Sequence, residues 1–377
     1  MIMYDFIVVG LGGLGSVVAH DLADAGAQVL GLDRYPLGHA LGSSHGRTRV
    51  IRKAYFEHAD YVPLLHRSYD RWRYLEHQTQ QNLMDQCGVL QIGPKNGIVV
   101  PGVLHAAKHH KLNVQTYDAN TLRQQYPQLG EISDHELGVF EPDGGILKVE
   151  ECVCAWGQVA QRKGAQFTVG VTVEGYSHEG SFWRVITDQG DYRAKNLILC
   201  PGAWASQLLP RALSQHLKIK RKSLFWFDSK PSLHRTNGFP VWLFEEPDGV
   251  FYGFPHLNDQ GFKAAEHSGG QLVNNPSYLD RSVHDHDHQR VQTFLSRRIR
   301  GVDSAQPLKH TVCMYTVTPD EHFMVGQPHG FHDLFVGTGL SGHGFKLVPA
   351  LGEVLAKQAL GHTDVDHHTW LDPNRFN

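Results

Sequence analysis

Residues 5–33 read DFIVVGLGGLGSVVAHDLADAGAQVLGLD, and no other stretch of the chain narrows the choice of fold so far. Asp5 to Val9 is a short apolar run of the kind that forms a parallel strand buried on both faces. Val17, Val18, Leu22 and Ala25 then recur at helical intervals, and Gly26 ends that helix. QVLGLD supplies a second strand that closes on Asp33, 18 residues after Gly15. A lone GxGxxG says little, but Gly10, Gly12 and Gly15 stand between a strand and a helix, with an acid ending the next strand, and this whole unit specifies a dinucleotide site. Gly10 permits the tight turn, Gly12 lets the backbone approach a pyrophosphate, and Gly15 allows close packing of helix on strand. The helix start offers free amides to the anion, and Asp33 would accept hydrogen bonds from an adenosine ribose. The unit alone does not choose between a nicotinamide and a flavin.

With 377 residues the chain is long enough for two domains with their own cores. HDLFVGTGLSGHGFK repeats the pattern of apolar strand and glycine-rich turn near the other end, and LVPALGEVLAKQAL places a helix behind it. Both termini are therefore expected to build one discontinuous, Rossmann-like α/β domain from residues 1–84, 146–214 and 320–377. Residues 85–145 and 215–319 are expected to form a second, α+β substrate domain on a mixed or antiparallel sheet. Within these limits GVLQIG, DGVFYGFP and GFKAAEH read as extended segments, VPGVLHAAKHHKL and Glu150 to Lys163 as helices, and SFWRVITDQGDYRAKNLILCPGAW as a hairpin leading into a buried strand.

Charge excludes some partners. Thirty-five lysines and arginines against 38 acids give a net charge of −3, with no single-sign run to grip a phosphate backbone or an anionic membrane, so nucleic acid and membrane are not expected partners. No stretch of about 18 apolar residues occurs and the first residues run directly into a strand, which predicts a soluble, cytoplasmic protein. Cys87, Cys152, Cys154, Cys200 and Cys313 form an odd set without disulfide or metal spacing, as a reducing compartment allows. Histidines cluster in HAAKHH, HDHDH and VDHH, yet Val291, Phe294, Leu295 and Ile299 give the segment after HDHDH helical spacing. Asp285 and Asp287 then serve the free amides of a helix start, and no metal site is expected.

LGSSHGRTRVIRKAY packs Arg47, Arg49, Arg52 and Lys53 beside Ser43, Ser44 and His45. Alone it reads as a solvated basic face; its place just after the ribose-binding strand makes anion handling the alternative. Cys313 in HTVCMYTVTPDEHF, alone, reads as apolar packing.

Taken in order, the glycine unit, GSSHGRTRVIRKAY, FYGFP, GFKAAEH, VCMYT with DEHF, and SGHGFK make the chain resemble the monomeric sarcosine oxidase and N-methyltryptophan oxidase family of flavin amine oxidases, which includes pipecolate-oxidising relatives. The resemblance spans nearly the whole chain. It implies a bound FAD attached through a thioether to Cys313, held also by Gly10, Gly12, Gly15, Asp33, Arg34, Ser43, Gly342, Gly344 and Lys346. It implies that Arg52 and Lys346 receive the substrate carboxylate, that Lys263 stands where oxygen is activated with Thr48 and Arg49 nearby, and that Tyr252, His267, Tyr315 and His343 surround the substrate amine. The implied reaction is hydride transfer from a secondary-amine amino acid to the flavin, hydrolysis of the imine, and reoxidation by oxygen with release of hydrogen peroxide, by a monomer. Arg47 and Glu266 depart from the best-known sarcosine-oxidising branch, which leaves the substrate side chain open. The alternatives are a pipecolate- or proline-type oxidase, a glycine or D-amino-acid oxidase, a dehydrogenase using another electron acceptor, and a flavin-binding protein without turnover.

Overall fold

The computed structural model describes residues 2–258, 260–363 and 368–376. The part of the VDHH tract at 365–367 lies outside the described residues.

Two large sheets carry the architecture. In the first, of eight strands, Met3–Val9 lies between Gly190–Leu199 and Val29–Asp33, parallel to both, with Ile7 opposite Leu197 and Leu30. Leu334–Thr338 extends this sheet in parallel beyond Gly190–Leu199, so strands from both ends of the chain share it. Helix Gly13–Asp24 buries Val17, Val18 and Leu22 against helices Val149–Arg162 and Val348–Ala359. The glycine turn is forced by sterics. Gly10 has φ of 91°, and a Cβ on Gly15 would stand 1.8 Å from the Gly10 carbonyl oxygen.

The second sheet has ten strands and is mixed: Val241–Glu246 runs parallel to Val89–Pro94, while Lys218–Ser229 pairs antiparallel with Phe262–Glu266 on one edge and Lys309–Val317 on the other. Alternation of side chains divides its residues between two faces. One face buries Phe225, Phe227, Trp242, Phe244, Phe251 and Phe262 under helix Asp285–Arg298, where Phe294 stacks on Phe251 with centroids 4.5 Å apart. Asp285 and Asp287 occupy the first turn of that helix, as the spacing predicts. Register places Tyr252, Phe254, Lys263, Ala265, Lys222 and Cys313 together on the other face.

A three-stranded sheet, Thr48–Ile51 with Gly145–Lys148 and Met84–Asp85, carries the arginine-rich segment. Helix Val62–Thr79 is absent from the sequence reading. Its buried Leu65, Tyr69 and Trp72 recur at helical spacing, but the intervening HRSYDRWRYLEH is so polar that the stripe is narrow. No helix among the described residues is long and apolar enough to cross a membrane.

Candidate active site

A cavity of about 430 Å³ opens along the glycine turn. Gly10, Gly12, Asp33, Arg34, Ser43, Arg49, Tyr315, Gly342 and Gly344 line it, so segments far apart in sequence share one wall. Helix Gly13–Asp24 starts at Gly12 with no cap from that residue and no acid in its first turn; the Gly13 amide donates to Ser44 Oγ at 3.3 Å, and the helix start as a whole favours an anion. Asp33 accepts hydrogen bonds from the amides of Leu11 (2.6 Å) and Tyr35 (2.9 Å), which fixes its carboxylate at the end of the strand. Burial raises its pKa, against the two amides. Arg34 stands 5.8 Å from the Trp204 ring centroid. Ser43 Oγ and Thr338 Oγ1 are buried in the lining without a hydrogen-bond partner among the described residues. Orphaned hydroxyls in a cavity wall call for a polar ligand. Together with the helix start and the glycine cradle, they fit a dinucleotide such as FAD.

Behind the lining residues Arg49 and Ser43, Cys313 Sγ lies 3.5 Å from Arg49 Nη2 and 3.4 Å from the Ser43 carbonyl oxygen. Arg49 also donates to the Thr48 and Ser43 carbonyls at 2.9 and 2.8 Å. Lys263, 1 % exposed, donates to the Gly46 carbonyl (2.6 Å), the Thr48 carbonyl (3.1 Å) and Thr48 Oγ1 (3.1 Å). Burial and then Arg49 push its pKa well down; the two carbonyls can only accept from it, while the Thr48 hydroxyl can either accept or donate. Glu150 accepts from the amides of Gly46 (2.8 Å) and Arg47 (3.1 Å) and so holds this turn, in which Arg47 itself is exposed at φ 69°.

Arg52 and Lys346, both buried, stand 4.5 and 4.9 Å from the centroid of the Tyr55 ring. Arg52 Nη2 donates to both oxygens of Glu57, at 2.6 and 2.7 Å. Burial raises the pKa of Glu57, but Arg52, His343 and Lys346 together outweigh this and hold it at about 2. Lys346 Nζ donates to the His343 carbonyl, and burial followed by Arg52 lowers its pKa to about 7. Trp72 Nε1 donates to the Lys346 carbonyl at 3.0 Å, so helix Val62–Thr79 positions this lysine. The Arg52 segment is anchored from below by Glu141, which accepts from the amides of Lys53 (2.6 Å) and Ala54 (3.0 Å).

His267 and Tyr315 meet at 3.4 Å between Nδ1 and the hydroxyl, and Tyr252 packs edge-on to His267. Burial lowers the pKa of His267 to about 3. His343 is held at both ring nitrogens: Nδ1 by the Tyr55 hydroxyl and Nε2 by the Glu321 carbonyl at 3.0 Å. A carbonyl can only accept, so Nε2 carries the proton and Nδ1 accepts from Tyr55.

The residues singled out in sequence thus fall into three groups: the lining of the dinucleotide cavity, the cluster of Thr48, Arg49, Lys263 and Cys313, and the cationic aromatic groups around Tyr55 and His267; Gly15, Cys313 and Lys346 are not part of the cavity lining. Three participants were missed. Glu57 follows Arg52 by five positions and carries no motif of its own. Tyr55 passes as a core aromatic. Lys222 lies in KIKRKS, which reads as a solvated basic edge until the register turns it inward. Glu266 is engaged by the fork of Arg290, with Nε and Nη2 both at 2.8 Å. In the histidine-rich tract His284, His286 and Asp287 bring ligand atoms within 4.8 Å of one another, with Asp287 held by Arg221 and Ser223 and His284 by Asp280.

Comparison with known proteins shows the family of the chain. The chain is 37 % identical to the monomeric sarcosine oxidase of Streptomyces avermitilis, covering 99 % of this chain and 98 % of that protein. It is 32 % identical to the N-methyl-L-tryptophan oxidase of Citrobacter koseri, over 99 % of both. The structure superposes on the open form of NikD, an unusual amino acid oxidase essential for nikkomycin biosynthesis, with a TM-score of 0.86 at 23 % identity, covering 99 % and 98 % of the two chains. The DAO family, described as FAD dependent oxidoreductase, matches residues 5–358, and the chain belongs to it.

Proposed function

We propose that the protein is an FAD-dependent oxidase of secondary-amine amino acids, sarcosine or another N-methyl amino acid. The observation that carries this reading is the buried pair Arg52 and Lys346 over Tyr55, set beside the Tyr252, His267 and Tyr315 cluster. A small zwitterion needs this combination of a fixed cationic clamp at one end and an aromatic, uncharged surround at the other. The names of the relatives point to the same substrates.

Bound in the cavity, FAD would supply a two-electron acceptor for the carbon next to the amine nitrogen, with molecular oxygen as the final acceptor and hydrogen peroxide as a product. The chain's own residues do the rest. The Arg52 fork donates two parallel hydrogen bonds to the substrate carboxylate, in exchange for Glu57, while Lys346 adds a point charge. His267, with its pKa near 3, is neutral at pH 7 and presents no charge to repel the amine. Tyr252 and Tyr315 offer hydroxyls to the neutral amine and ring faces to the ammonium. Lys263 lies in a dry pocket, where its protonated form would favour oxygen's acquisition of negative charge. Cys313 stands beside two wall residues of the cavity and serves as the covalent tether. Tyr55 and the Glu321 carbonyl fix His343 as a positioning residue. In this reading residues 1–84, 146–214 and 320–377 form the FAD-binding domain and the remainder the substrate domain.

The test begins with the purified protein. Its yellow colour should remain in the pellet after acid precipitation, and anaerobic sarcosine, N-methyl or cyclic amino acids should bleach it. Bleaching by glycine or D-alanine but by no secondary amine would overturn the reading in favour of a primary-amine oxidase.

A further inference from the structure

One buried cation on the site face of the second sheet has no task in the mechanism above. Lys222 is 4 % exposed, and its Cα pairs in register with that of Cys313, so the two side chains share the face that also carries Tyr252, Lys263 and Tyr315. Its Nζ lies 5.6 Å from the centroid of the Tyr315 ring. One of its three protons goes to the Ser268 carbonyl; the other two have no hydrogen-bond partner among the described residues, and no carboxylate there comes within ion-pair distance. Glu266 is the acid it feels most strongly, but both oxygens of Glu266 are taken by the Arg290 fork. An ammonium removed from water without a paired anion is expensive, and chains keep one where a ligand supplies the missing charge. Burial lowers its pKa to about 8, which leaves it mostly charged at pH 7.

Its surroundings indicate the ligand. The His267 ring feels Lys222 as well as Glu57 and Lys346, so it is within electrostatic reach of both the clamp and this second cation. Tyr315 touches His267 at its hydroxyl and underlies Lys222 at its ring. The contacting pair Tyr315 and His267 therefore connects Lys222 with the aromatic cluster. Resting on the amine-oxidase reading above, we propose that Lys222 receives a second acidic group at the far end of the substrate, and that the preferred substrates are N-alkyl amino acids with an acidic side chain.

The experiment uses the holoenzyme and ligands that cannot turn over. Glutarate and pentanoate have the same chain length and differ in one terminal carboxylate, and each is titrated while the flavin absorbance is followed. Glutarate should bind at least tenfold more tightly. Lys222→Met should bring the ratio of the two affinities close to one, and Lys222→Arg should keep it. Equal affinities in the unaltered protein, or a ratio unchanged in Lys222→Met, would overturn the proposal. The first of these needs no variant to fold. If Lys222 merely braces the turn at Ser268, the variant melts earlier and the ratio stays the same, which counts against the proposal. Binding and turnover fail separately: a glutarate preference in a protein that oxidises no secondary amine, sarcosine and N-methylglutamate included, sinks the oxidase reading alone.

Discussion

The two large sheets build their halves of the site in different ways. The eight-stranded sheet presents backbone: a glycine turn, helix-start amides, and one carboxylate held by two amides. The ten-stranded sheet presents side chains, Tyr252, Lys263, His267, Lys222, Cys313 and Tyr315, drawn from four strands and the turn after one of them and brought to one face by register. A backbone site is intolerant of any added atom. A side-chain site tolerates substitution of shape and responds to charge.

That contrast can be broken most severely at Gly15. A Cβ there has a backbone oxygen at 1.8 Å, and nothing flexible can move aside. Gly15→Ala should cost about 3 kcal/mol or more and yield protein without flavin, read by the ratio of visible to ultraviolet absorbance. If Gly15→Ala binds flavin normally, the backbone description of the first sheet is wrong. Next comes the covered face of the second sheet. Phe294→Ala removes a ring stacked on Phe251 and Trp242 and should lower stability by about 3–5 kcal/mol in denaturant titration, while flavin content per folded molecule is unchanged.

Charge in the second site should act on ligands before it acts on the fold. Arg52→Met removes the fork and leaves Glu57 buried beside Lys346, so carboxylate ligands should weaken roughly a hundredfold by absorbance titration, about 2.7 kcal/mol. An unchanged affinity would place the clamp elsewhere. The gentlest probe is pH. Lys346 has a pKa near 7 in the free protein, and a bound carboxylate favours its protonated form. Affinity for a simple carboxylate should therefore be level below about pH 7 and fall above it, by at most about tenfold per unit, until the raised pKa of the complex is reached. Lys346→Met should flatten the profile.

The same contrast explains what the sequence makes legible. Backbone sites depend on spacing, so Gly10, Gly12, Gly15 and Asp33 stand out within 24 residues as a pattern with a mechanism. The clamp and the amine cluster are scattered from Arg52 to Lys346, and no local period joins them; only the family resemblance does. Where neither local pattern nor resemblance points to a residue, the reading fails. Glu57 and Lys222 look like ordinary surface charges because their surroundings are decided by residues distant in sequence: His343 and Lys346 for one, the strand Lys309–Val317 for the other. Helix Val62–Thr79 was missed because tertiary packing of Trp72 and Tyr69 sustains it, not its own composition.

The three hydrogen-bond partners of Lys263 have a consequence for anyone dissecting oxygen reactivity. Two are the carbonyls of Gly46 and Thr48, on either side of Arg47, whose backbone adopts a left-handed conformation that side chains avoid. The Lys263 side-chain nitrogen thus fastens both ends of a sprung loop, and the next residue along is Arg49 against the thiol of Cys313. Replacing Lys263 by an apolar residue removes a clasp as well as an amine, so if the proposed oxidase reading holds, a slower reoxidation in such a variant should come with a displaced guanidinium and poorer flavin attachment.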